Sequence, residues 1–540
     1  MRCHRVLFWS ICTGLVLFAA CSSMITMLGG APALRIASRH RDASETTSRP
    51  EFNTESYAHQ EDNPFLAVRD HPLSTFSIDV DTASYANVRR FVHDGRLPPK
   101  DAVRLEELVN YFRIEVKPPQ DGSPLAAATE VGSCPWNPAH RLVRIGITGR
   151  GIEATAIPAR NLVFLVDVSG SMYDPRKLPL VKRALALLVD HLREQDRVAI
   201  AVYAGNSGLV LPPTTGADKQ RILAALASLE AGGSTNGGEG IRLAYRVAEE
   251  ARIAGGVNRV ILATDGDFNV GVTSEGDLVR LIEEKRRSGI HLSVLGFGMG
   301  NLKDSTMEKL ADKGNGNYAY IDSLREARKV LVEEAGGTLV TVAGDVKVQV
   351  EFNPAQASSY RLLGYENRLL RDEQFDDDTA DAGELGAGQT VTALYEVAPA
   401  GGAARPALPL RYQQERAPAA VAANGELLTV KVRFKEPGAA ESRLLSWAVR
   451  DGNVELAATT PDFRFVSAVA AWGMLLRESP HRGNADIALV RRLAESSLGD
   501  DPHGHRHEFL ELVSETARLL PGTQPAQVAA QSQEKPLGHE

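Results

Sequence analysis

Between Ala159 and Gly337 the sequence alternates short apolar runs with stretches whose apolar residues recur at helical spacing. The runs are LVFLVDV, RVAIAVYA, RVILATD, IHLSVLGFG and YAYID, and between them residues such as Val181, Leu185 and Leu188 share one helical face. Strands that are apolar along their whole length are buried on both faces, which is typical of parallel sheets covered by helices. The pattern therefore predicts a doubly wound α/β domain with a mostly parallel sheet over residues 159–337.

Strand patterns of another kind flank this domain on both sides. RLVRIGITGRGI precedes it, and DVKVQVEFNP, QTVTALYEVAP and LLTVKVRFKEP follow it, with turn residues between them. Short strands separated by turn residues favour an antiparallel sandwich. We expect the strands before the α/β domain to pair with those after it, which makes the α/β domain an insertion in an antiparallel β-sandwich.

The remaining segments predict helices or no regular structure. LSTFSIDVDTASYANVRRFV passes from strand to helix and DAVRLEELVNYF predicts a second helix, while FVSAVAAWGMLLRES and HEFLELVSETARLL predict C-terminal helices. Small, polar and charged residues between Ser22 and Asn63 indicate a disordered tether. The predicted organisation is a signal peptide at 1–20, the tether at 21–63, an α+β segment at 64–120, sandwich strands at 121–158, the α/β domain at 159–337, the β-sandwich at 338–441, C-terminal helices at 442–520 and a disordered tail at 521–540.

The N-terminus has the pattern of an export signal. Arg2 and Arg5 precede an apolar run from Val6 to Ala20, and Cys21 follows two alanines. The cysteine at this position resembles a bacterial lipobox, with Phe18 where leucine is usual. The resemblance implies that Cys21 is lipidated and anchors the protein to a membrane of the bacterial cell envelope.

Two other interpretations of the N-terminus stay open. Cleavage after Ala33 would release a soluble protein, and an uncleaved anchor would extend through Leu28. All three interpretations place the folded part of the chain outside the cytoplasm.

Charge and cysteine content exclude several classes of function. With 60 basic and 68 acidic residues, the formal charge of -8 offers no basic field for nucleic acid. Cys134 is the one cysteine beyond the signal, which excludes an intramolecular disulfide, CxxC redox chemistry and a cysteine zinc site. We expect Cys134 to be a small buried apolar residue.

Side chains with oxygen atoms occur at the ends of two predicted strands and in one glycine-rich loop. Asp167, Ser169 and Ser171 come at the end of the first α/β strand, Thr235 lies in the loop AGGSTNGGEG, and Asp265 ends the strand RVILATD. In a doubly wound sheet the carboxyl ends of the strands meet at one edge, where ligands bind. Carboxylate and hydroxyl oxygens are the ligands that hard divalent cations prefer. These residues predict a metal site at that edge.

The order of these residues resembles the metal-ion-dependent adhesion site of von Willebrand factor A domains, whose fold is Rossmann-like. D-x-S-x-S corresponds to Asp167, Ser169 and Ser171, and Thr235 and Asp265 of T-D-G follow in order. The resemblance implies that the serines bind Mg²⁺, Mn²⁺ or Ca²⁺ directly, the threonine in some states, and the aspartates often through water. It also implies that the cation takes an Asp or Glu side chain of a partner protein.

A wider resemblance covers the chain from about residue 63 to residue 520. NPFLAVRDHPLSTFSIDV and DFRFVSAVAAWGMLLRES are similar to segments that precede and follow the A domain in a family of bacterial envelope proteins. We therefore expect an adhesion-type protein-binding function and no enzymatic one, since the sequence has no nucleophile elbow, P-loop or HExxH motif. Two alternatives are an envelope scaffold whose metal only stabilises the fold, and a hydrolase that uses the same metal.

Four weaker patterns have simpler interpretations. SIDVDTAS carries Asp79 and Asp81, and capping of the next helix by Thr82 or Ser84 is favoured over a second metal. The acidic stretch at 376–384 lacks the spacing of an EF-hand, so a solvated turn is favoured over calcium. GFGMGN predicts a turn at the metal edge and not a dinucleotide loop. The fourth pattern, DPHGHRHEF, contains His503, His505 and His507, whose imidazoles suit an exposed loop better than a zinc site.

Overall fold

The structure is a computed structural model that describes residues 53–119, 122–266, 275–335, 339–401 and 424–520. All of these residues belong to one compact unit, which spans Phe52–Glu540. The predicted signal peptide, the lipidation site Cys21 and the C-terminal tail lie outside the described residues. Among the described helices, none combines the length and the hydropathy needed to cross a membrane.

The secondary-structure elements fall into three successive groups. The first group is β1 (Leu66–Ala67), β2 (Leu73–Ser77), α1 (Ala83–His93), α2 (Leu105–Asn110), β3 (Leu125–Ser133) and β4 (Arg141–Gly149). The second is β5 (Arg160–Asp167), α3 (Leu178–Asp190), β6 (Arg197–Tyr203), β7 (Ser207–Thr215), α4 (Lys219–Ala227), α5 (Gly237–Glu250), β8 (Val257–Thr264), α6 (Glu275–Arg287), β9 (Ile290–Phe297), α7 (Asp304–Lys313), β10 (Tyr318–Ile321) and α8 (Leu324–Arg328). The third is β11 (Thr341–Phe352), β12 (Ala357–Leu363), β13 (Gly383–Gly386), β14 (Thr390–Pro399), β15 (Glu426–Lys435), β16 (Arg443–Arg450), α9 (Pro461–Leu476), α10 (Ile487–Glu495) and α11 (His505–Leu519).

The second group forms the predicted doubly wound domain. Its sheet has the order β10-β9-β8-β5-β6-β7, and all neighbours are parallel except the antiparallel pair β6 and β7. Every residue of β5 is buried, because α3 and α8 pack on one face of the sheet and α5, α6 and α7 on the other. The chain runs from β5 to one side and later returns to β8 on the other. The carboxyl ends of β5 and β8 therefore flank the topological switch point.

The first and third groups share a β-sandwich, as predicted. One sheet has the order β1-β12-β14-β4-β3, and the other has the order β13-β11-β15-β16 with β2 paired to β11. β4 lies before the α/β domain and pairs antiparallel with β14, which lies after it. Apolar side chains of both sheets, among them Val143, Val348 and Val430, form one core. The α/β domain is thus an insertion between β4 and β11.

The C-terminal helices pack on the N-terminal ones. α9 begins with Pro461 after Thr460, whose hydroxyl accepts a hydrogen bond from the main-chain N of Phe463 at 3.1 Å. Side chains of α9, α10 and α11 share a core with those of α1 and α2. Gly473 marks the closest approach, because a Cβ there would lie 2.5 Å from the side chain of Leu105.

Residues 53–63, which belong to the predicted disordered tether, make specific hydrogen bonds. The main-chain N of Thr54 donates to the oxygen of Gly300 at 2.7 Å, and the buried amide of Asn63 donates to the oxygen of Gly364 at 2.8 Å. Residues 53–63 therefore lie against the α/β domain and the sandwich. Their polar composition indicated disorder, but their hydrogen-bond partners lie far away in the sequence.

The end of the sandwich and one strand of the α/β domain also differ from the sequence expectation. β16 pairs with β15, so the sandwich continues beyond residue 441 and the C-terminal helices start only at Pro461. β7 was not predicted, since the sequence SGLVLPPTT contains glycine and the pair Pro212-Pro213. Proline is tolerated here because β7 is an edge strand with bulges in its pairing to β6.

The predicted cap of α1 is not formed. Thr82 makes no side-chain capping hydrogen bond. The Ser84 hydroxyl instead donates to the main-chain oxygen of Ala102 at 2.7 Å and accepts from the main-chain N of Arg104 at 2.9 Å. Ser84 thus joins α1 to the start of α2.

Candidate metal centre

Asp167 ends β5 and is completely buried. Its Oδ1 accepts a hydrogen bond from the main-chain N of Ser169 at 2.9 Å, and its Oδ2 accepts from the hydroxyls of Tyr203 at 3.0 Å and Thr264 at 3.1 Å. Burial, with a smaller contribution from the charge of Asp265, raises the pKa of the Asp167 carboxyl to about 6, although the hydrogen bonds from Ser169 and Tyr203 lower it. A nearby cation favours the ionised carboxylate, so this position suits a metal ligand.

The loop after Asp167 brings two hydroxyls together. The Oγ atoms of Ser169 and Ser171 lie 3.1 Å apart. Ser169 is buried and Ser171 is exposed, so the pair leads from the buried carboxylate to the solvent. Two adjacent ligands of an octahedral Mg²⁺ ion at about 2.1 Å are separated by about 3.0 Å, which this spacing matches.

The glycine-rich loop with Thr235 lies against the serine loop. The main-chain N of Gly170 donates to the oxygen of Gly233 at 3.0 Å, and the main-chain N of Gly232 donates to the oxygen of Val168 at 2.7 Å. Gly233 has a φ of +86°, a conformation that favours glycine. Thr235 is half-buried and directly precedes the first turn of α5 at the same sheet edge.

Asp265 follows β8 and is held by three different side chains. Its Oδ2 accepts hydrogen bonds from Nζ of Lys177 and from Nδ2 of Asn301, both at 2.9 Å. Burial raises the pKa of the Asp265 carboxyl, but the charge of Lys177 and hydrogen bonds from Asn301, Lys177 and Ser171 lower it more. The net effect is a pKa below the ordinary value, so Asp265 is ionised. The link to Ser171 joins it to the serine loop.

Lys177 and Asn301 were not predicted as residues of this site. The stem of Lys177 crosses Gly298, which has a φ of +74°, and a Cβ at Gly298 would lie 2.3 Å from Cγ of Lys177. Asn301 comes from the loop GFGMGN, which the sequence correctly placed at the metal edge. The glycines of that loop were a usable signal, whereas nothing in the local sequence distinguishes Lys177 from a surface lysine.

The donor set fits a hard divalent cation. Hydrogen bonds link Asp167, Ser169, Ser171 and Asp265 in series, each residue carries a side-chain oxygen, and Thr235 lies in the adjoining loop. Oxygen-only donors select Mg²⁺, Mn²⁺ or Ca²⁺ over softer metals. Four of the five predicted residues are thus directly linked, and the loop of the fifth contacts theirs.

Comparisons with known proteins agree with this geometry. A family model described as von Willebrand factor type A domain matches residues 161–333, and one described as von Willebrand factor matches residues 51–144. A third, the C-terminal region of uncharacterized protein YfbK, matches residues 337–519. YfbK of Escherichia coli K12 is 45% identical over 467 residues, which cover 85% of this chain and 80% of YfbK. The chain belongs to the YfbK family of bacterial von Willebrand factor A proteins.

Other relatives of this YfbK-family chain are less similar to it. Inter-alpha-trypsin inhibitor heavy chain H4 of Homo sapiens is 30% identical over 165 residues, which cover 29% of this chain and 17% of the inhibitor chain. The solved von Willebrand factor type A structure from Catenulispora acidiphila is 17% identical, with a TM-score of 0.39, and covers 73% of this chain and 90% of that one. This chain contains a von Willebrand factor A domain, and such domains are in general metal-dependent protein-interaction modules.

A second group of acidic side chains in this YfbK-family chain forms ion pairs. Asp79, Glu107 and Glu308 are buried, and one carboxylate oxygen of each lies within 4.8 Å of the others. Their partners are arginines: Arg368 donates to Asp79 at 3.1 Å and to Glu308 at 3.4 Å, and Arg104 donates to Glu107. The cluster connects α2, α7 and the loop after β12, and its oxygens already have cationic partners.

The acidic stretch at 376–384 also forms ion pairs with arginines. Asp381 lies 2.8 Å from Arg286, and Asp376 lies 2.5 Å from Arg433. Two carboxylates of the stretch are therefore paired with arginines that lie far apart in the sequence, which favours a turn over a calcium loop.

The histidine stretch separates into two contacts. His503 and His505 face Glu333 at 3.4 and 3.3 Å, whereas His507 bonds to Asp501 at 2.8 Å. The three imidazoles thus contact two different carboxylates. His503 and His505 connect the start of α11 to the end of the α/β domain.

Proposed function

We propose that this protein is a metal-ion-dependent, adhesion-type binding protein of the bacterial cell envelope. It captures an Asp or Glu side chain of a partner protein through a divalent cation, Mg²⁺ or alternatively Mn²⁺ or Ca²⁺. The observation that carries the proposal is the hydrogen-bonded path from buried Asp167, through the main-chain N and the hydroxyl of Ser169, to the hydroxyl of exposed Ser171. This path joins a buried anionic anchor to a position that a partner can reach.

The chemistry of the donors supports capture of a carboxylate. Hydroxyl ligands are neutral, so they leave much of the charge of a bound cation uncompensated. The cation supplies a strong electrophilic contact for an external carboxylate, and bonds between ions are strong where water is partly excluded. Because Ser171 is exposed while Asp167 is buried, a cation held by these residues would be reached from the solvent side.

The surroundings of the site support a rigid receptor. The α/β domain is inserted between β4 and β11 and is held by N-terminal residues through Thr54 and Gly300. A domain fixed in this way presents the metal edge in one orientation. Anchoring through a lipid on Cys21 would place this edge at a membrane surface of the envelope.

A pull-down from bacterial envelope extract tests the proposal. The purified chain is used in Mg²⁺ and in EDTA, beside the double variant Asp167→Ala, Ser169→Ala. Ser228→Ala serves as the matched control, because it removes a hydroxyl that donates to a main-chain oxygen elsewhere in the same domain. Circular dichroism confirms that each variant is folded.

We expect a partner that is retained by the wild type and by Ser228→Ala in Mg²⁺ only. Replacement of the acidic residues of that partner should abolish retention. Equal retention in EDTA and by the double variant would contradict the proposal and would leave the cation a structural role.

A further inference from the structure

The position of Lys177 is unusual for a lysine. It directly precedes the first residue of α3, and its side chain is only 9% exposed. The dipole of a helix disfavours positive charge at its N-terminus, and burial of an ammonium group costs free energy unless a partner is present. Nζ of Lys177 has two partners, Asp265 at 2.9 Å and Asn301 at 3.0 Å. The fold therefore places a cation beside a predicted metal ligand.

The charges of the site depend on this lysine. Asp167 and Asp265 together neutralise a divalent cation, because metal ligation requires the ionised carboxylates. Lys177 then leaves the centre with one positive charge in excess, which attracts an external carboxylate. Before a cation binds, the same ammonium cancels one of the two negative charges and reduces the attraction for the metal.

We propose that Lys177 is a positioning residue that sets the charge of the metal centre. It lowers the affinity for the divalent cation and raises the affinity of the loaded centre for a partner's carboxylate. This inference rests on the proposed function, since it concerns the same cation and the same carboxylate. Lys177 acts through Asp265, whose Oδ2 it shares with Asn301.

The variant Lys177→Met separates charge from packing. Methionine keeps an unbranched stem that can cross Gly298 and removes only the ammonium group. Binding of Mn²⁺ is measured by the enhancement of water-proton relaxation, with the full chain in detergent. A blocked tripeptide that contains one glutamate is then titrated into the Mn²⁺-loaded protein, and the corresponding glutamine tripeptide is the control.

We expect Lys177→Met to bind Mn²⁺ roughly tenfold more tightly or better, and the glutamate tripeptide roughly tenfold more weakly, since one charge is removed from a partly desolvated site. Lys177→Arg keeps the charge and should retain the wild-type pattern. Lys182→Met, on the same helix, removes an ammonium that donates to the main-chain oxygen of Ala227, and should change neither affinity. If Lys177→Met is unfolded by circular dichroism, Lys177→Gln takes its place.

The outcomes separate this inference from the proposed function. Unchanged affinities in Lys177→Met, with normal binding in the wild type, overturn the role of Lys177 and leave the proposed function intact. If Lys177→Met loses affinity for both Mn²⁺ and the glutamate tripeptide, the role of Lys177 is also overturned. A lysine that is needed only for the fold would have that effect. Absence of Mn²⁺ binding in the wild type overturns the proposed function and this inference with it.

Discussion

The hydroxyl of Tyr203 donates a hydrogen bond to Oδ2 of Asp167 across 3.0 Å, so the strand beside β5 orients the buried carboxylate of the metal centre. Both side chains are completely buried. β5 and β6 are thus joined by a side-chain hydrogen bond as well as by main-chain pairing. The sheet therefore fixes the orientation of the Asp167 carboxylate.

Tyr203→Phe should weaken both the fold and the metal centre. Loss of one hydrogen bond to a buried carboxylate is expected to cost about 1–3 kcal/mol in the free energy of unfolding and to lower Mn²⁺ affinity several-fold. Urea denaturation and Mn²⁺ titration measure the two effects.

Tyr245→Phe is the matched control for this change. Tyr245 is buried in the same domain, and its hydroxyl has no hydrogen-bond partner among the described residues. Its replacement should be neutral or slightly stabilising. Equal effects of the two substitutions would show that the bond to Asp167 contributes nothing.

Gly298→Ala should displace Lys177. The alanine Cβ would lie 2.3 Å from Cγ of Lys177, and the φ of +74° is unfavourable for alanine. We expect a loss of roughly 1–3 kcal/mol in the free energy of unfolding, from backbone strain and overpacking together. Thermal unfolding followed by circular dichroism detects it.

Gly300→Ala measures the cost of backbone strain without overpacking. Gly300 has a φ of +91°, and no atom lies within 4 Å of a Cβ built there. It should cost only about 1 kcal/mol, the penalty for alanine at positive φ. A loss at Gly298 no larger than that at Gly300 would argue against tight packing of Lys177.

Glu106 should make the protein less stable at high pH. Both carboxylate oxygens of this buried residue have no hydrogen-bond partner among the described residues. Burial raises the pKa of Glu106 from 4.5 to about 8, and the charges of Glu366 and Glu107 add to the rise. Because the folded state keeps a proton that the unfolded state loses, stability should fall as the pH rises from about 4.5 to about 8.

Glu106→Gln removes this titration. At pH 8 the variant should be more stable than the wild type by roughly 1–3 kcal/mol, and at pH 5 the difference should shrink. Urea denaturation at both pH values measures it, and the exposed Glu115→Gln is the control. A constant difference between wild type and variant across this range would mean that Glu106 is ionised in the folded state.

Arg89 should connect three parts of the chain. Its guanidinium contacts Asp322 at 2.6 Å and Glu326 at 2.7 Å at the end of the α/β domain, and Glu508 of α11 at 3.0 Å. Arg89→Met removes the guanidinium that pairs with the buried carboxylates of Asp322 and Glu326, while Glu508 keeps its ion pair with Arg325. The change should cost about 3–5 kcal/mol in the free energy of unfolding.

Limited proteolysis is the second readout for Arg89→Met, since loss of the connection should expose the start of α11 to cleavage. Arg96→Met is the control, because its partner Asp94 lies 3.8 Å away at the surface. A proteolysis pattern identical to that of the wild type would contradict the connecting role.

The α/β fold and the first part of the metal centre could be predicted because their signals are local. β5 is apolar from Leu162 to Val166 and ends at Asp167, and Ser169 and Ser171 follow within four residues of its end. β7 could not be predicted in the same way, because an edge strand with bulges tolerates the glycine and prolines that normally argue against a strand.

Lys177 shows why the rest of the site was missed. Lys177 contacts Asp265, which lies 88 residues further along the chain. The sequence around either residue gives no indication of this contact. The same reason applies to residues 53–63, whose polar side chains and main-chain groups find partners beyond residue 298. The composition of a segment indicates only the structure that it can form by itself. These contacts form between segments that are distant in the sequence, once the chain has folded.

A titration of Mn²⁺ into the purified chain, followed by the electron paramagnetic resonance signal of free Mn²⁺, tests the metal centre most directly. The wild type is compared with the double variant Ser169→Ala, Ser171→Ala, which removes the hydroxyl pair whose oxygens lie 3.1 Å apart. We predict one tightly bound Mn²⁺ per wild-type chain and its loss in the variant. Equal binding by both proteins, or none by the wild type, would contradict a cation held by these serines.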